Sequence, residues 1–107
     1  MFEILSNGKM RIVRGDTGEF NVEIFNRDGS LYELQEGDEV VFTVKNKAME
    51  GVDLIRKLGP YIRINPADTS RLSFGKYQYD VQVQFADGTV DTIIPKNIFE
   101  VMEEVTW

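Results

Sequence analysis

The sequence predicts an all-β fold, an immunoglobulin-like antiparallel β-sandwich of about seven to eight strands with one short helical turn. Apolar and polar residues alternate in several short runs, as they do in half-buried strands. Turn-forming residues separate these runs at intervals of about 8 to 12 residues, a spacing typical of sandwiches and barrels. No long run has the period of an α-helix. We expect one domain over residues 1–107, with the first nine and last three residues at its periphery.

The clearest strand is predicted over residues 76–85. Its apolar residues occupy every second position and therefore share one face: Tyr77, Tyr79, Val81, Val83 and Phe85. The residues between them are Gln or Asp, which suit the opposite, solvated face. A helix would scatter the same residues around its circumference, so the pattern indicates a strand.

Shorter runs of the same kind predict the other strands. They lie at residues 10–13, 20–24, 40–44, 52–58, 61–64, 90–94 and 99–101. Asp28-Gly29 and Asp87-Gly88 are strong hairpin signals between them. Asn65 followed by Pro66 predicts the start of a short helix. The expected core is Ile12, Phe20, Val22, Ile24, Val40, Phe42, Val44, Ile62, Ile64, Leu72, Tyr77, Tyr79, Val81, Val83, Ile94 and Val101.

Composition excludes several chemistries. The chain contains neither Cys nor His, which rules out disulfides, thiolate metal sites and every Ser-His or Cys-His nucleophile. The net charge of −6, from 18 acidic and 12 basic residues, disfavours nucleic acid as a partner. No signal peptide and no apolar run of membrane-spanning length is present, so we expect neither a membrane partner nor export by the general secretory route.

No catalytic, cofactor-binding or metal-binding residue is predicted. Calcium loops repeat Asp at alternate positions, whereas Asp87-Gly88 fits a hairpin turn. Gly75-Lys76-Tyr77 lacks the flanking residues of a phosphate-binding loop. Carboxylate pairs are numerous, but nothing selects one for a glycosidase. Arg14-Gly15-Asp16 spells a cell-adhesion tripeptide and is interpreted as a tight turn at a strand end. We therefore expect no enzyme.

The segment from Leu72 to Val81 (LSFGKYQYDV) predicts a tyrosine corner. In such a corner, a Tyr at the start of a sandwich strand bonds to backbone a few residues upstream. Tyr77 is the residue expected to do so, with Leu72, Gly75 and Tyr79 completing the pattern. A ligand-binding role for the two tyrosines is the alternative.

With the segments Arg14 to Thr17 (RGDT) and Val41 to Lys45 (VFTVK), this corner resembles small phage and prophage structural proteins of Gram-positive bacteria. The N-terminal domain of baseplate upper proteins is similar. The resemblance covers residues 10–105 and implies a non-catalytic part of a tail or baseplate. It implies partners among other virion proteins or further copies of the chain, as a homo-oligomer. It also implies a virion component made in the bacterial cytoplasm.

Apolar residues outside the alternation are the interface candidates. Val41 and Ile93 lie opposite the apolar residues of their own strands, and Phe2 and Trp107 lie near the chain ends. A strand that is apolar on both faces is either central in its sheet or covered by a partner. Aromatic residues are also enriched in the cores of interfaces. Ordinary packing inside the domain is the other explanation for these four residues.

A carbohydrate- or ligand-binding sandwich is the alternative function. It predicts a planar row of exposed aromatic side chains, on a sheet face or at the loop tips. An assembly module predicts instead a broad surface that mixes apolar and polar side chains.

Overall fold

The computed structural model describes residues 1–46 and 52–103, and this part of the chain contains eight strands and one short helix. The strands are β1 (Phe2–Ile4), β2 (Met10–Val13), β3 (Gly18–Asn21), β4 (Glu39–Lys45), β5 (Asp53–Gly59), β6 (Tyr61–Ile64), β7 (Gly75–Gln84) and β8 (Val90–Met102). The helix, α1, is Pro66–Ser70. The predicted all-β class with one short helix is confirmed.

The described strands form two sheets. One has six strands in the order β1-β2-β8-β7-β4-β5, and the other pairs β3 with β6. All pairs are antiparallel except β2 and β8, which run parallel with Met10 opposite Phe99 and Val13 opposite Met102. This pair differs from the expected all-antiparallel sandwich. Alternation defines which face of a strand is apolar, but it carries no information about the direction of the neighbouring strand.

Phe42 of β4 joins the two sheets. Its side chain is fully buried. Its ring contacts Phe20 of β3 edge-on, with 5.2 Å between centroids. On its own sheet, the ring lies 5.7 Å from Tyr79 of β7 and 6.2 Å from Phe99 of β8. Each aromatic pair of this kind adds about 0.5–1.5 kcal/mol to the gain from burial alone.

The predicted core agrees closely with the observed one. Phe20 and Ile94 are only partly buried, and the other predicted core residues are buried. Met10, Ile55 and Phe99 also belong to the core cluster, although the expected core omitted them. Met10 and Phe99 are buried because they face each other across the parallel pair, which the pattern did not predict.

Strand β8 runs through Pro95, where two separate strands were expected. Tyr79 lies opposite Asn97 and Val81 lies opposite Ile94, so two residues of β8 face the single Asp80 of β7. This is a β-bulge, one of the few places inside a sheet that tolerate proline, because one residue there is already unpaired. The bulge lets one strand continue where proline normally ends it.

The corner before β7 is tied to upstream backbone. The Tyr77 hydroxyl donates a hydrogen bond to the Ser73 carbonyl at 2.7 Å, the bond that characterises a tyrosine corner. Leu72 is buried beside it, and Gly75 has a φ of 142°, which suits glycine. Helix α1 starts at the predicted position, where the Asn65 amide donates to the Asp68 carboxylate at 2.7 Å.

The corner bond generates a stability prediction. Tyr77→Phe removes the hydroxyl and leaves the Ser73 carbonyl without this donor, so the free energy of unfolding should fall by about 1–3 kcal/mol. Urea denaturation measures the change. Tyr61→Phe is the matched control, because Tyr61 is half exposed. An unchanged urea midpoint for Tyr77→Phe would show that this bond contributes nothing to stability.

Candidate functional site

Two of the predicted interface residues lie on the central strands. Val41 is only 5 % exposed, and it lies on the outer face of β4 between Leu58 of β5 and Gln82 of β7. Ile93 of β8 is half-buried and packs against the core. Neighbours within the chain thus already cover most of Val41. The interface role of both residues stays a prediction.

The other two interface candidates are at the chain ends. Phe2 is half-buried in β1, and its ring stacks on Phe20 with 6.0 Å between centroids. Gly18 makes room for it, since a Cβ there would come within 2.7 Å of the Phe2 ring. Trp107 lies outside the described residues. For Phe2, packing against β3 is observed, and contact with a partner stays a prediction.

Three turns meet at one end of the sandwich. One turn follows β3, one joins β5 to β6, and one joins β7 to β8. All three therefore lie at the end where β4, β6 and β8 begin. We term this region the hairpin end and define it as residues 22–40, 58–61 and 85–91. It brings together three segments that are far apart in the sequence.

A short hairpin after β3 forms the largest part of the hairpin end. The Asn26 amide donates to the Ser30 carbonyl at 2.8 Å, and Phe25 pairs with Leu31 as an isolated bridge. The Asp28 carboxylate accepts hydrogen bonds from the hydroxyl and amide of Ser30, which lower the pKa of Asp28. Asp28 therefore acts as a side-chain acceptor within the turn, a common role of Asp in turns.

Asp38 fastens this hairpin to the β7–β8 turn. Its carboxylate accepts hydrogen bonds from the Gln35 amide at 2.9 Å, the Tyr32 hydroxyl at 2.7 Å and the Ala86 amide at 3.1 Å. These donors, the Gln35 amide first, lower the pKa of Asp38. The Tyr32 ring also packs edge-on against Phe85 with 5.8 Å between centroids. The two turns are therefore held together by both polar and apolar contacts.

Gly37 allows the same turns to approach closely. Its φ is +91°, a conformation that favours glycine, and a Cβ at this position would lie 2.8 Å from the Ala86 Cβ. Any larger residue would push the two turns apart.

A shallow cleft of about 170 Å³ opens beside the hairpin. It is lined by Val22, Glu23, Ile24, Leu31, Tyr32, Leu34 and Pro60. The Val22 amide donates to the Pro60 carbonyl at 2.9 Å, which fixes the hairpin against the β5–β6 turn. This hairpin cleft is mainly apolar, with one carboxylate among its lining residues.

Exposed apolar side chains are concentrated at the hairpin end, and one of them, Leu31, lines the hairpin cleft. Of ten large apolar residues that are exposed in the described part of the chain, five lie at the hairpin end: Phe25, Leu31, Leu58, Tyr61 and Val90. Phe25 is 60 % exposed and Leu31 is 55 % exposed. Phe25 and Leu31 are bridge partners in the hairpin, so their side chains are neighbours, and exposed apolar patches mark interaction sites on proteins.

Negative charge is concentrated at the same end. The hairpin end contains eight acidic residues and one base, Arg27, whereas the rest of the chain has ten acidic and eleven basic residues. The acidic residues are Glu23, Asp28, Glu33, Glu36, Asp38, Glu39, Asp87 and Asp91. The net charge of the chain therefore arises at this end.

The adhesion-like tripeptide at the opposite end is built into the fold. The Gly15 amide donates to the buried Thr69 hydroxyl of α1 at 2.9 Å, and the Asp16 carboxylate pairs with the N-terminal amine. The Arg14 guanidinium lies 4.2 Å from the centroid of the Phe74 ring. These contacts support the interpretation of the tripeptide as a structural turn.

Comparison with known proteins adds no assignment. No protein-family model matches the chain, and comparison with curated proteins gives no match. Within residues 1–46 and 52–103, no three acidic side chains are placed to hold a metal ion together. Over the same two segments, no helix has both the length and the apolar character needed to cross a membrane.

Sequence reasoning missed the hairpin end as a site. Phe25 and Leu31 flank the predicted Asp28-Gly29 turn, so two apolar residues at the base of a hairpin tip were the available signal. Leu58, Tyr61 and Val90 fitted predicted strands, and nothing in their local pattern indicates that strand ends place them near one another.

The depressed pKa values at the hairpin end generate a pH prediction. The pKa values of Asp28, Asp38 and Asp87 lie below the ordinary Asp value, so these groups stabilise the fold above about pH 4 and lose that effect as pH falls further. The urea midpoint should therefore drop below about pH 4. Asp38→Asn should lower the midpoint at neutral pH and weaken its acid dependence, whereas Asp91→Asn should do neither. Identical pH profiles for Asp38→Asn and the unmodified chain would contradict this account.

Proposed function

We propose that this chain is a non-catalytic assembly module that binds structural proteins, of the kind found in phage or prophage tails and baseplates. The observation that carries the proposal is the set of exposed apolar side chains at the hairpin end. Burial of such surface is the main favourable term in protein association. The resemblance of the Leu72 to Val81 corner to phage structural proteins supports the setting.

The hairpin end is also built to keep its shape. Asp38 joins two of its turns through three hydrogen bonds, and the Val22–Pro60 bond joins the third. A surface that is already ordered loses less conformational entropy when a partner binds. This favours recognition of a folded or extended protein partner by the turns themselves.

A sugar- or ligand-binding role has weaker support. Exposed aromatic rings occur on separate elements, with Phe25 in the hairpin, Tyr61 on β6 and Phe74 before β7 at the opposite end. Within residues 1–46 and 52–103, the exposed aromatic rings therefore do not form the single row that sugar recognition predicts. The hairpin cleft, at about 170 Å³, is also smaller than the roughly 300–1,000 Å³ of typical small-molecule pockets.

Co-expression with the products of neighbouring genes tests the assembly role. We expect the chain to elute from size exclusion as a defined complex with a structural protein, or as a defined oligomer, with the mass measured by light scattering. Phe25→Ser should abolish the complex because it removes exposed apolar surface from the hairpin end. Ile4→Ser, at a residue 46 % exposed on β1, should leave it intact. A strict monomer that forms no complex and binds a glycan instead would contradict the proposal.

A further inference from the structure

The hairpin cleft combines an apolar lining with one carboxylate, and it lies at the acidic hairpin end. Leu31, Tyr32 and Leu34 supply apolar lining, and Glu23 lines the same cleft. Glu33, adjacent in the chain to two of these residues, is exposed. Any segment that buries apolar side chains in the cleft therefore comes close to Glu23 and lies at the acidic hairpin end. Basic residues beside its apolar ones would therefore be favoured.

The hairpin end differs from the rest of the fold because it contains few basic residues. Elsewhere in the described part of the chain, several acidic side chains have basic partners on adjacent strands or on facing elements: Arg11 with Glu3, Arg63 with Glu19, Lys57 with Asp68 and Lys9 with Glu100. The hairpin end has only Arg27 against eight acidic residues. Its charge is therefore not balanced by the segments that build it.

Part of this charge already serves the fold. Asp28, Asp38 and Asp87 accept hydrogen bonds within or between the turns. The other five carboxylates are exposed: Glu23, Glu33, Glu36, Glu39 and Asp91. These five are the groups that can pair with charges of a partner.

We infer that the hairpin cleft binds a basic segment of a partner protein, in which Lys or Arg residues flank apolar ones. This inference rests on the proposed function and adds the chemistry of the partner. An apolar side chain of that segment occupies the cleft beside Leu31. Its basic side chains pair with Glu23 at the cleft and with other exposed carboxylates of the hairpin end, such as Glu33. Another copy of this chain fits poorly, because two hairpin ends repel and the rest of the chain is nearly neutral in net charge.

A peptide of alternating Lys and Leu, about ten residues long, is the probe. Fluorescence anisotropy compares it with a peptide in which Gln replaces every Lys. We expect the Lys peptide to bind at least about tenfold more tightly, and to lose about fivefold in affinity when salt is raised from about 50 to 500 mM. Equal affinity for both peptides would overturn the inference.

Matched variants locate the binding on the chain. Leu31→Ser should weaken binding of the Lys peptide about tenfold, because it removes the apolar leucine surface that the peptide would bury. Ile4→Ser should have no effect. Glu23→Gln with Glu33→Gln should weaken binding and flatten its salt dependence, whereas Glu103→Gln, an exposed carboxylate outside the hairpin end, should not. Equal effects of test and control variants would show non-specific attraction and reject the site.

The two proposals can fail separately. In one outcome, Phe25→Ser abolishes the complex with a co-expressed structural protein, but salt does not weaken that complex. This result would support the assembly role and reject the basic partner. Specific binding of the Lys peptide by a chain that forms no complex with any structural protein would keep the basic-binding cleft and reject the assembly role. Circular dichroism of each variant verifies that it is folded.

Discussion

The packing of Phe42 between the two sheets is the contact on which the rest of the structure depends. Its ring touches aromatic side chains from β3, β7 and β8, so it connects the two-stranded sheet to the centre of the six-stranded one. With the sheets held face to face, the strand ends are fixed in space. The turns that form the hairpin end are then brought together by the ends of β3, β5 and β7.

Much of this arrangement can be predicted from local sequence patterns, chiefly the alternation of apolar and polar residues within single strands. The pattern from Tyr77 to Phe85 defines β7 and its buried face, and Asn65 with Pro66 marks the start of α1. The parallel pairing of β2 with β8 could not be predicted, because side-chain alternation is the same for either strand direction. The continuation of β8 through Pro95 could not be predicted either, because it depends on a bulge opposite Asp80 in another strand.

The hairpin end was visible only in fragments. The turn at Asp28-Gly29 and the acidic residues around Glu36 can be read locally, since turns and charge are properties of short segments. Their proximity to Ala86 and Pro60 cannot, because it arises from strands distant in the chain. A site built from three separate turns has no sequence motif. Its net charge and exposed apolar surface can be recognised only once the fold is known. Sequence patterns therefore indicated interface candidates on strand faces and at the chain ends instead.

Hydrogen–deuterium exchange of the chain, alone and in complex with a co-expressed structural partner, tests the central claim that the hairpin end is the contact surface. The account predicts slower amide exchange on binding in residues 22–34 and 85–91, with β1 and α1 unchanged. Protection confined to β1, α1 or the outer face of the six-stranded sheet, with the hairpin end exchanging as in the free chain, would contradict it.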